Sequence, residues 1–152
     1  MIAALLAATL SAASPAQQTV WEYTHDETQC AARTTTPAGT FLIYNWEPGK
    51  HAIAIVATNP AWAGTVREGE IYALSFVFDA NPPVSDAKGW VFNIPGHGIG
   101  YVGQTGDVEP LLGLLGSSQQ MELRANGRVI ERFDLQGGDE AVAGLRECAA
   151  NL

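Results

Sequence analysis

The chain has 152 residues, 47% of them hydrophobic, and a formal net charge of −8. That is the length of one domain with a sizeable core. The acidic balance excludes the basic stripe of a nucleic-acid binder and attraction to an anionic membrane surface, while it suits solubility and a basic partner.

Taken in chain order, residues 2–10 form an apolar run, followed by small residues with Ser14 and Ala16 at the −3 and −1 positions of a signal-peptidase cut. This is the hydrophobic core and exit of a secretory signal, although no Lys or Arg precedes it. The expected division is a signal peptide at 1–16 and one domain at 17–152. The run is too short to span a bilayer, and the mature chain is expected to hold no transmembrane segment.

Residues 40–46 (TFLIYNW) are rich in aromatic and β-branched residues, and 47–50 (EPGK) have turn chemistry. In 51–58 (HAIAIVAT), Ile53 and Ile55 share one face and Ala52, Ala54 and Val56 the other, which predicts close packing by a second layer on the small-residue side. A loop at 59–70 carries Trp62, a candidate binding surface. Residues 71–79 (IYALSFVFD) place Tyr72, Leu74, Phe76 and Phe78 on one side, and both sides are apolar enough for a central strand. Pro82 and Pro83 cannot continue it. In 89–94, Trp90, Phe92 and Ile94 share a face, and Trp90 is expected in the core.

The glycine-rich stretch 93–107 (NIPGHGIGYVGQTGD) has no lysine for a phosphate loop. It reads as a β-turn and a short strand at 99–102, with no helix after it. Asn126-Gly127 marks a two-residue type I′ hairpin. Direct pairing would put Leu123 opposite Ile130 and turn Phe133 and Leu135 away from the core. Either a β-bulge near Glu131–Arg132 restores them, which is the favoured reading, or both faces are partly buried there. After Gly137-Gly138, Asp139 is a candidate N-cap for a short helix whose stripe is Val142, Leu145, Cys148 and Leu152. Strands joined by Gly/Pro-rich turns without alternating helices predict a mainly β fold, an antiparallel β-sandwich or barrel with a short C-terminal helix.

Two cysteines, Cys30 and Cys148, in a chain with a secretory start predict one disulfide that staples this helix to the sheet. His25, His51 and His97 have no metal-ligand spacing, and the His25–Glu27 cluster reads as solvated loop. Ser75 lies inside a strand, and Ser117–Ser118 lack a nucleophile elbow. No catalytic, cofactor-binding or metal-binding residue is singled out.

The order of Trp21, Cys30, the TNPAW and GEIYALSFVFD segments and the VIERFDLQGGDEAVAGLREC tail resembles a group of small exported bacterial β-proteins of unknown function. The tail is also similar to the invasion-associated locus B family. The resemblance implies a periplasmic or secreted β-sandwich without established catalysis, and it supplies no functional residue. The expected function is a non-enzymatic binding or envelope-associated module for another protein or a cell-envelope component. The alternatives are a small carboxylate-dependent hydrolase and an inhibitor of a basic secreted enzyme.

Overall fold

The computed structural model describes residues 20–84 and 88–152. The expected signal segment and its cleavage site lie outside the described residues. Nine strands form one antiparallel sheet in the order β1-β2-β3-β4-β7-β6-β5-β8-β9. They are β1 (Glu22–His25), β2 (Cys30–Thr35), β3 (Phe41–Glu47), β4 (Ala52–Thr58), β5 (Ile71–Phe78), β6 (Lys88–Ile94), β7 (Gly98–Thr105), β8 (Gln120–Ala125) and β9 (Arg128–Asp134). Among the described residues there are two α-helices, α1 (Val108–Ser117) and α2 (Gly138–Ala150).

The sheet is not closed into a barrel, so only the sandwich-like half of the expectation stands. Strands β5, β6 and β7 are hairpin neighbours, and β8 returns through α1 to lie beside β5, which is a Greek key. The sheet curls far enough for Glu131 on its last strand to meet Thr40, the residue before β3.

Register puts one set of residues on the inner face. Ala32, Tyr44, Ile55, Leu74, Phe76, Phe78, Met121, Leu123 and Phe133 are all buried there. Leu111, Leu112 and Leu115 of α1 and Ala141, Val142 and Leu145 of α2 join them in one cluster. Tyr44 packs its fully buried ring on Trp21, with centroids 4.9 Å apart, and burial pushes its phenol far above the usual range.

Helix α1 corrects the reading of the glycine-rich stretch. Gly96 and Gly98 belong to the β6–β7 turn, β7 runs the whole of Gly98–Thr105, and a helix does follow at Val108. Pro110, Gly113 and Gly116 hide α1 in the sequence, because its stability comes from burying Val108, Leu111, Leu112 and Leu115 rather than from propensity. Its start carries Asp107 and Glu109, acids that would repel a phosphate.

The bulge exists, one residue earlier than expected. Leu123 pairs with Glu131 and Arg124 with Val129, so Ile130 is the extra residue. Phe133 and Leu135 thereby return to the core, each 2% exposed. Asn126 and Gly127 both have positive φ, 51° and 77°, as a type I′ turn requires.

Helix α2 docks as expected, but Asp139 is not its cap. Gly137 stands at the N-cap in the left-handed region, and Asp139 and Glu140 occupy the first turn. Leu152 lies past the helix end and is exposed. Cys148 bonds to Cys30 of β2, with Cα atoms 6.1 Å apart, so the staple joins helix and sheet as the sequence predicts. Gly144 lets the Tyr23 ring approach: a Cβ there would sit 2.3 Å from a ring carbon. The Tyr23 hydroxyl donates to the Glu140 carbonyl at 3.0 Å, and Arg146 of α2 grips Glu109 of α1 with two bonds.

Trp90 is the clearest departure. It shares a face with Phe92 and Ile94, but that face is the outer one, and Trp90 is 38% exposed. The face with Ala52, Ala54 and Val56 is also the outer one, where no layer among the described residues covers it. Strand β5 does have a neighbour on each side, yet its outer residue Ile71 is 85% exposed.

Candidate binding surfaces

An antiparallel sheet with one solvated face usually carries polar residues outward. Here the outer face does not. Directly paired residues run Glu22, Arg33, Ile43, Val56, Val102, Trp90 and Ile71 across seven adjacent strands. The last five are consecutive apolar side chains. Phe41 and Phe92 lie on the same face one register step away, and Phe41 stacks on His97 with centroids 4.1 Å apart. The central part of this row floors a groove of ≈ 480 Å³ that Arg33, Asn45, Gln29 and His97 border.

The polar border is mostly engaged. Arg33 pairs with Glu22 at 3.1 Å, and Asn45 donates to Gln29 at 2.9 Å. Asp26, which the sequence grouped with His25 and Glu27, accepts from the backbone N–H of Thr28 and Gln29 and from the Gln29 amide. These bonds hold its carboxyl below the usual range and make it a turn residue.

Trp62 lies elsewhere, at the open end of the inner face. It is partly buried, and its ring meets Tyr101 edge-on at 5.6 Å, while Tyr72 meets Tyr101 at 5.7 Å. The three rings, with Val66, Ala125, Val129 and Ile130, wall a pocket of ≈ 310 Å³ between the 59–70 crossover and the β8–β9 hairpin. Asn59 positions the loop: its side chain accepts from the Ala61 N–H at 2.8 Å and donates to the Ala38 carbonyl and the Thr40 hydroxyl.

Thr40 in turn donates to both oxygens of Glu131. The bulge at Ile130 directs Glu131 inward, and burial raises its carboxyl above the usual range. Glu131 has a hydroxyl as its partner rather than a second acid, so it forms no acid/base pair.

A third groove, of ≈ 600 Å³, runs between β1 and α2 and is lined by Tyr23, His25, Glu140 and Glu147. Both acids are exposed, and seven residues along one helix separate them by about 10 Å of rise. That is wider than the separation of catalytic carboxylate pairs that act on one bond. Among the described residues, no group of three or more His, Cys, Asp or Glu could hold a metal ion. No helix of the described residues is long and apolar enough to cross a membrane.

Comparison with known proteins adds no relative: no family model, curated protein or solved structure matches the chain. Sequence reasoning named Trp62 but not Tyr72, Tyr101 or Arg128 beside it, nor the outer row. Period-2 alternation could have revealed the row, since β3, β4 and β6 each carry apolar residues on both faces.

Proposed function

We propose that this protein is an exported, non-enzymatic binding module that docks a partner protein on the outer face of its sheet. The observation that carries the reading is the row Ile43, Val56, Val102, Trp90 and Ile71, apolar across five paired strands, with no layer over it among the described residues and with its exposure greatest at the Trp90–Ile71 end. Contiguous apolar surface rimmed by polar groups is the common mark of a protein interface. The net charge of −8 opposes a second copy of the same chain and favours a partner whose apolar patch is bordered by Lys and Arg. An inhibitor of a basic secreted enzyme would be one such case.

The Cys30–Cys148 disulfide supports an oxidising compartment, and the resemblance of the tail to the locus B family supports export. A photo-crosslinking residue at position 56 or 90, used in the native envelope, tests the docking face. Crosslinks to one basic-patched protein, weakened by salt and lost with Ile71→Asp, are the expected result. Self-crosslinked dimers, or capture that Ile71→Asp leaves intact, would contradict it. Export is tested separately, by locating the protein after fractionation.

A further inference from the structure

The Trp62 pocket is separate from the outer row and opens on the inner face. Its floor is Tyr101, 2% exposed, and the Tyr101 hydroxyl makes no hydrogen bond among the described residues. Unlike the Tyr44 hydroxyl it is not sealed off, so it can donate to a ligand in the pocket. Desolvation by burial raises its pKa to about 12, so at neutral pH it is an O–H donor.

Two exposed residues that line it add further donors. Arg128 lines the pocket and has no acid within salt-bridge distance among the described residues, unlike Arg33, Arg124, Arg132 and Arg146. Asn126 gives its side-chain oxygen to the Ala73 N–H and leaves its NH₂ without a partner among the described residues. Neither Glu70, which accepts from the Tyr72 hydroxyl, nor Glu131, which accepts from Thr40, lines the pocket, and the Thr65 hydroxyl donates to the Trp62 carbonyl. The polar side chains that line it thus offer mainly donors, one of them a guanidinium, set in aromatic and aliphatic walls.

We infer that this pocket binds a small carboxylate with an aromatic or branched apolar body. Its carboxylate lies against Arg128, with Tyr101 and Asn126 as further donors, and its body lies against Trp62 and Tyr72. A planar guanidinium is the group best shaped for a carboxylate, and a mostly apolar cleft with few convergent polar groups is the usual form of a small-molecule site.

The test is titration of the ¹⁵N-labelled, disulfide-intact protein with phenylacetate, cinnamate and isovalerate, and with phenylacetamide and methyl glucoside as neutral probes. The four tryptophans give four indole N–H signals, and Trp62→Phe identifies the one from the pocket. A saturable shift of that signal is expected with at least one carboxylate. Phenylacetamide should bind at least roughly tenfold more weakly than phenylacetate, and Arg128→Gln should abolish the difference, as loss of one charge-assisted contact predicts. Tyr101→Phe should weaken binding severalfold. Arg128 is exposed, so its variant folds, and Val56→Ser on the outer face should change nothing here. The inference fails if no carboxylate gives a saturable shift, if Arg128→Gln binds as wild type, or if methyl glucoside binds tightest. None of these outcomes bears on the docking row, whose own crosslinking test is independent.

Discussion

The two faces of the sheet differ less in composition than in what covers them. The inner face places Tyr44, Ile55, Phe76, Leu123 and Phe133 under two helices, and all five are essentially inaccessible. The outer face places Ile43, Val56, Val102 and Trp90 in register across β3, β4, β7 and β6, with no helix over them among the described residues. Both rows are apolar, but only the inner one is buried throughout: on the outer one Val102 is buried, Ile43 and Val56 are half-buried and Trp90 is 38% exposed. Apolar patterning therefore marks both the core and an interface, and burial tells which is which.

The largest effect expected from mutation lies inside. Phe133→Ala should cost about 3–5 kcal/mol and Leu112→Ala about 2–5 kcal/mol in denaturant unfolding, because each leaves a cavity in a filled core. Losses below about 1 kcal/mol would mean the inner face is not the packed one.

The disulfide comes next. It spans a sequence separation of 118 residues, and the loop-closure entropy sets a ceiling of about 4–5 kcal/mol. The Cys30→Ala/Cys148→Ala pair should lose less than that ceiling, about 2–4 kcal/mol, because α2 keeps its apolar contacts. Hydrogen exchange of the reduced protein should quicken first in α2. Uniform exchange throughout would show that the staple does not act locally.

The outer row should give the reverse pattern. Ile71→Ser, at 85% exposure, should change unfolding free energy by about 0.5 kcal/mol or less, as surface substitutions do, and Trp90→Ser, at 38%, by more than that but by less than the core changes. The same changes should abolish partner crosslinking. Core-sized losses would place these side chains under a cover.

The smallest effect concerns Glu131. Burial raises its folded pKa above the unfolded value. Its ionisation therefore opposes folding: stability is full below the unfolded pKa and declines as pH rises through the folded one. Glu131→Gln keeps the acceptor for Thr40 and removes the proton linkage. Its stability should fall less than wild type's between pH 4 and 7, the window that starts near the ordinary carboxylate value. A variant that tracks wild type across that range would show that Glu131 is not the linked group.

How much was legible in the sequence differs from element to element. The Asn126-Gly127 turn, the need for a bulge, the docking stripe of α2 and the Cys30–Cys148 pairing all follow from local chemistry or from counting. Helix α1 did not, because three helix breakers, Pro110, Gly113 and Gly116, outweigh four buried apolar residues in any local reading. Trp90 was misplaced because period 2 shows which residues share a face and cannot say which face is inside. For the same reason the pocket was named by Trp62 alone. Tyr72, Tyr101 and Arg128 join it from three strands that only the crossover order brings together.

By itself, then, the sequence determined the β class, the hairpin with positive φ at two fixed positions, the terminal helix and its staple. Each of these depends on neighbours in the chain or on a pairing with one solution. The tertiary structure alone decided that the sheet stays open, that α1 forms, that one apolar face lies under two helices while the other has none over it among the described residues, and that Tyr101, Asn126 and Arg128 line one aromatic pocket. Those features depend on contacts between residues far apart in the chain, and the free energy of such contacts is not written in any local window.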